Sequence, residues 1–209
     1  MSIEIDWKNI KKTSYGDRNE FEHFCDHIFA RHFAKMGVYE HFYNTPGSES
    51  YIIVKTLTQY NGIELKPDDV IGWQAKFWLG TNDDTFTPVD SKRVEELKKC
   101  FETTVQHKPN IKIWIVCTPG QLHEKTWKSL QQKLGTVKSD CTLISWHKDV
   151  FKHFYMNDLW KYNGIFHYYF SGQFLETNII NSITQDTLET LKNKYDKNRY
   201  NRRSRLYSG

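Results

Sequence analysis

The sequence predicts an α/β domain, a mixed β-sheet with helices on both faces. Three observations carry that expectation. Segments of helical period and short β-branched runs alternate in the order α-β-β-β-α-β-α-β-α. The run Ile111-Lys112-Ile113-Trp114-Ile115-Val116-Cys117 has the apolar, β-prone composition of a central strand. The chain is 209 residues long and carries 7 Trp, 12 Tyr and 13 Phe, enough to fill one large core.

Residues 1–16 read as a lead-in, with Ile3, Ile5 and Trp7 alternating as in a short strand or a segment packed on the domain. A helix is expected from Asp17, a candidate N-cap with Glu20 three residues on. Its stripe is Phe21, Phe24, Cys25, Ile28, Phe29, His32, Phe33 and Met36, and Gly37 ends it. Pro46-Gly47 marks a loop, and Ser50-Tyr51-Ile52-Ile53-Val54 a strand that Glu49 leads. Asn61-Gly62 signals a hairpin and Lys66-Pro67-Asp68 a second turn. Together they bring the Glu49 strand antiparallel to the strand Val70–Trp78. That strand has period two, so Gln74 and Lys76 share one face while Trp73, Ala75 and Phe77 share the other.

Thr81 to Pro88 reads as a polar loop, and Val89 to Gln106 as a helix with Val94, Leu97, Phe101 and Val105 on its apolar side. Thr118-Pro119-Gly120 stops the central strand. A helix follows from His123 to Leu134, a strand from Cys141 to Trp146 and a helix from Lys148 to about Phe154. Residues 162–174 read as aromatic and irregular and 184–195 as a polar helix. From Lys192 to Arg205 there are seven Lys or Arg and one acid, which suggests a linker toward a further domain.

Composition narrows the function classes. A net charge of +4 and a pI near 8.7 suit a polyanionic partner without requiring one. Cys25, Cys100, Cys117 and Cys141 are widely spaced and form no C-x-x-C pair, which argues against a cysteine zinc knuckle. With no signal-peptide pattern they read as reduced thiols of a cytoplasmic protein. No apolar run approaches the roughly 20 residues that span a bilayer.

The chemistry-bearing residues are Glu22 on the first helix, Glu49 at a loop-to-strand junction, and the Gln74–Lys76 pair. A lysine is almost never fully buried without a partner, so a strand that carries one beside an amide suggests a site. His23 and His27 are spaced i, i+4, and His32 lies on the same helix; zinc on these three is a weaker alternative.

The strings Phe21-Glu22, Gly47-Ser48-Glu49-Ser50-Tyr51 and Gly72-Trp73-Gln74-Ala75-Lys76-Phe77-Trp78 resemble the PD-(D/E)XK nuclease superfamily. They are most similar to its Mrr-like branch, where Gln-x-Lys replaces acid-x-Lys. His107-Lys108-Pro109, Thr118-Pro119-Gly120 and Ser145-Trp146-His147 extend the likeness to the nuclease domains at the N-termini of bacterial anti-phage STAND NTPases. The resemblance spans about residues 17–160, with 1–16 as lead-in and 161–209 as extension. The loop departs from the family's usual Gly- and Asp-rich form, and its acid is Glu rather than Asp.

The resemblance implies a restriction-endonuclease-like fold and Mg²⁺-dependent hydrolysis of double-stranded DNA, with Mn²⁺ able to substitute. Glu49, Gln74 and Glu22 would ligate the metal, and Lys76 would serve the attacking water and the phosphate. With so few carboxylates, metal affinity should be weak until DNA adds its oxygens. The resemblance further implies an oligomer formed through a downstream NTPase or sensor region. Lys92, Lys98 and Lys99 are candidate phosphate contacts, as are the tail arginines. The competing expectation is a non-catalytic nucleic-acid-binding or assembly module on a retired nuclease fold.

Overall fold

A computed structural model describes residues 5–11, 16–41, 47–79, 87 and 89–170, apart from the side chains of residues 17 and 18. The chain divides into a unit of residues 1–170 and one of 171–209; the latter, with the expected helix 184–195 and the basic tail, lies outside the described residues.

A 3₁₀ turn, Trp7–Asn9, precedes helix α1, Asp17–Phe33. Strands β1 (Gly37–His41), β2 (Ser50–Val54), β3 (Thr58–Tyr60), β4 (Ile63–Leu65) and β5 (Val70–Ala75) follow. Helix α2 (Ser91–His107), β6 (Ile111–Cys117), α3 (Glu124–Gly135), β7 (Thr142–Trp146), α4 (Lys148–Asn157) and α5 (Leu159–Phe170) complete the unit. The main sheet runs β1-β2-β5-β6-β7, and β3-β4 form a separate hairpin. Strands β1, β2 and β5 pair antiparallel; β5, β6 and β7 are parallel, connected by α2 and α3. The mixed sheet flanked by helices is thus the architecture expected, with β2 and β5 antiparallel neighbours.

One face of the sheet is closed by α1, α4 and α5. Trp73 packs with Phe29, and Trp146 lies parallel to Phe33 at 5.9 Å. Phe24 meets Trp7, Phe151, Phe166 and Phe170 edge-on, the geometry that opposes ring edge to ring face. The other face is closed by α2 and α3: Leu97, Phe101, Leu130 and Leu134 cover Val70, Ile111, Trp114 and Val116.

Several expectations change. Of the two readings of the lead-in, the described residues 5–11 take the packed one: Ile5, Trp7 and Ile10 are buried, and the Trp7 indole donates to the Pro119 carbonyl at 2.9 Å. The N-cap of α1 is Gly16, not Asp17, and makes no side-chain cap bond. Gly37 opens an additional edge strand, β1, instead of merely ending α1. A Cβ at Gly37 would sit 2.0 Å from the Ile53 carbonyl oxygen, so only glycine admits this pairing. Residues 162–170, read as irregular, belong to α5, whose Tyr162, Phe166, Tyr169 and Phe170 are buried. The compact unit therefore continues beyond the expected boundary at 160.

Candidate active site

The site forms where β2 begins and β5 ends. Glu49 is held by its backbone, whose N–H donates to the Trp73 carbonyl at 3.0 Å. Its neighbours are pinned by two indoles. Trp114 of β6 donates to Ser48 Oγ at 2.8 Å, and Trp73 of β5 donates to Ser50 Oγ at 2.6 Å. Ser48 also hydrogen-bonds Thr104 of α2, and Ser50 donates to Asp26 of α1. The loop is thereby tied to both helical layers. Gly72 makes the fit possible: a Cβ there would lie 2.9 Å from Ser48 Oγ.

Gln74 and Lys76 project toward α2, opposite to Trp73 and Ala75, as a two-residue period requires. Both are buried, at 4% and 6% exposure. The Gln74 amide nitrogen donates to Glu49 Oε1, and its oxygen is buried without a hydrogen-bond partner. Such an atom has lost its water and gained nothing in exchange. Glu22, half-buried on α1, hydrogen-bonds Glu49. Burial pushes the Glu49 carboxyl up to about 8, the Glu22 charge adds to the rise, and Lys76 and the Gln74 amide oppose it. Near neutral pH without a cation, Glu49 therefore keeps a proton, as one of two facing carboxyls usually must. The Lys76 ammonium bonds Glu96 Oε1 of α2 at 2.7 Å. Cys100, one turn further, is a hydrogen-bond neighbour of Lys76, and burial raises its thiol.

The structure thus brings Glu22, Glu49, Gln74 and Lys76 together from three separate elements. Of the three candidate phosphate contacts on α2, Lys92 and Lys99 are exposed, while Lys98 pairs with Glu102 at 3.3 Å. The tail arginines lie outside the described residues. The zinc alternative finds no support in the geometry. His27 meets the Tyr169 hydroxyl at 3.0 Å, His32 the Tyr162 hydroxyl at 2.7 Å, and His23 is exposed. Among the described residues no three His, Cys, Asp or Glu side chains are grouped to hold a metal. Burial, and after it the Lys161 charge, lowers His32 to about 4, so its imidazole is neutral.

Glu96, Ser48, Ser50 and the two indoles escaped the sequence reading. The available signals were an acid within the basic helix that follows the Lys76 strand, and Ser flanking Glu49 on both sides.

The donor set is oxygen: two carboxyls and an amide. That suits Mg²⁺ or Mn²⁺ better than Zn²⁺. The unpartnered Gln74 oxygen and the protonated, desolvated Glu49 both stand to gain from a cation. No protein-family model matches the chain, and no curated protein matches it.

Proposed function

We propose that this chain is a metal-dependent endodeoxyribonuclease of the PD-(D/E)XK type, in its Gln-x-Lys form, hydrolysing phosphodiester bonds of double-stranded DNA. The observation that carries this reading is the convergence of Glu22, Glu49, Gln74 and Lys76 at one end of a mixed sheet, with the Gln74 oxygen buried and unpartnered.

Glu49, Gln74 and Glu22 would hold Mg²⁺, or Mn²⁺ in its place. When bound, the cation lowers the pKa of a coordinated water and offsets charge on the phosphate oxygens. The protein supplies the rest. Ser48, Ser50 and their indole donors fix the Glu49 backbone, so the carboxylate is positioned before substrate arrives. The burial of Gln74 and Lys76 removes competing water and strengthens the charge of Lys76 toward a phosphate oxygen. Lys76 can also orient the attacking water and take part in its deprotonation. Lys92 and Lys99 offer sequence-independent phosphate contacts on α2. The resemblance of residues 17–160 supports a role as the effector of an anti-phage protein switched on by self-assembly.

The test is plasmid cleavage with Mg²⁺ across a range of protein concentrations, so that self-assembly is sampled, with Glu49→Ala and Lys76→Ala alongside. Wild-type cleavage lost in both variants supports the reading. A wild type that binds DNA and never cuts it leaves the binding-module alternative in its place.

A further inference from the structure

Lys76 is the only Lys or Arg among the described residues whose side chain is buried, and its short bond goes to Glu96 rather than to Glu49. Glu49 is engaged with Gln74 and Glu22. The polar cluster is therefore two neighbouring pairings: an acid–amide–acid group and an ammonium–carboxylate pair.

Glu96 sits on a rigid carrier. Helix α2 is N-capped by Asp90, which accepts from the Arg93 N–H at 2.8 Å. The Arg93 guanidinium lies over the Trp78 ring at 5.2 Å, and Val94, Leu97 and Phe101 bury the helix against the sheet. Lys92, Glu96 and Lys99 follow the i, i+4, i+7 spacing of one helical stripe. Glu96 is thus an acid between two exposed lysines, on a face where the proposed substrate brings negative charge. A carboxylate there opposes DNA binding. The pair joins an exposed acid, at 47%, to an ammonium at 6%, so Glu96 is also the charged partner that the buried lysine needs. DNA affinity does not account for it.

Its effect on Lys76 does. The lysine stem is flexible, and an unheld ammonium would be drawn to the Glu49–Glu22 carboxyls, taking the place of the cation. An ammonium has three N–H donors; with Glu96 and Cys100 as neighbours, a donor is still left for water or phosphate. We infer that Glu96 is a positioning residue that holds the Lys76 ammonium off the Glu49–Glu22 carboxyls and aims its remaining donors at the scissile phosphate. The inference rests on the nuclease reading above and names a residue that the Gln-x-Lys pattern does not contain.

A four-protein cycle tests it: wild type, Glu96→Ala, Lys76→Ala and the double variant. Metal-free DNA affinity by fluorescence anisotropy, single-turnover cleavage with Mg²⁺ and thermal midpoint are measured for each. Glu96→Ala should bind DNA roughly threefold more tightly, because a repulsive surface charge is gone. It should cleave about 10- to 100-fold more slowly, the scale of a misplaced catalytic group. In the Lys76→Ala background, removing Glu96 should cost no further cleavage. A charge-keeping Glu96→Asp should recover part of the rate. Glu96→Ala cutting at the wild-type rate, or slowing cleavage equally with and without Lys76, overturns the inference. So does a loss of rate that merely follows a fallen thermal midpoint. Those outcomes leave Lys76-dependent cleavage, and with it the nuclease reading, intact. That reading fails separately if Lys76→Ala cuts DNA as well as wild type does.

Discussion

Strand β5 presents one backbone to two different surroundings. Toward α1, Trp73 and Ala75 enter a layer of aromatic rings that includes Phe24, Phe29, Phe33 and Trp146. Toward α2, Gln74 and Lys76 are equally buried but meet polar and charged groups. The first surrounding is satisfied by contact alone, and each atom removed from it leaves a void. The second is satisfied only in part, since an amide oxygen has no partner and one acid retains its proton. A protein tolerates a half-satisfied polar cluster when something else completes it, so the two faces should respond to mutation in opposite ways.

The largest effect should come from the polar face and appear in catalysis. Glu49→Ala and Lys76→Ala should each lower single-turnover cleavage by about a thousandfold, roughly 4 kcal/mol of barrier, with little loss of stability. Plasmid nicking followed by gel and thermal unfolding of the same samples check both halves. Next comes the aromatic face, where Phe24→Ala should cost about 3–5 kcal/mol in urea unfolding because its ring packs edge-to-face with five others. Residual folded protein should still cut. If Phe24→Ala is mild and Lys76→Ala unfolds the chain, the contrast between the faces is wrong.

Trp114→Phe sharpens the comparison because it touches both kinds of surrounding. The ring that packs against Phe101 survives in large part, whereas the indole donor to Ser48 is lost. Ser48 keeps its bond to Thr104. Stability should fall by about 1–2 kcal/mol, the cost of one buried donor and some ring volume. Cleavage should fall further than that, about tenfold at saturating DNA, because the segment carrying Glu49 loosens. A cleavage rate identical to wild type would show that the indole serves packing only.

How much of this was legible in the sequence depends on the range of each interaction. The two-residue period of β5 is local, and it placed Gln74 and Lys76 on a common side correctly. The stripe of α1 is equally local. The edge strand β1 was missed because it is short and half polar, with Val38 and Tyr39 exposed, so no alternation announces it. Helix α5 was missed because exposed Trp160 and Tyr168 blur the buried stripe Tyr162, Phe166, Tyr169 and Phe170. The Glu96–Lys76 pair joins a strand to a helix twenty residues on, and nothing in the spacing reveals it. For the same reason the strand raises the question of how deeply Lys76 is buried, and only the packing of α2 against it answers.

The last effect expected is a pH-dependent stability carried by Glu49, and its sign is set by burial. In the unfolded chain this carboxyl returns to about 4.5, whereas in the metal-free fold it lies at about 8. Between those values the folded state holds a proton that the unfolded state has released. Stability therefore falls as pH rises through that window and is fully retained only below about 4.5. Glu49→Gln is neutral throughout and should escape the loss. Its thermal midpoint should match wild type at pH 4 and exceed it increasingly up to pH 8 and above in the absence of metal. Millimolar Mg²⁺ or Mn²⁺ should then raise the wild-type midpoint at pH 9 by more than the variant's, because the charged carboxylate gains most from the ion. Parallel midpoint curves for the two proteins, with and without metal, would mean that Glu49 is not the strained acid of the site and that the cation belongs elsewhere.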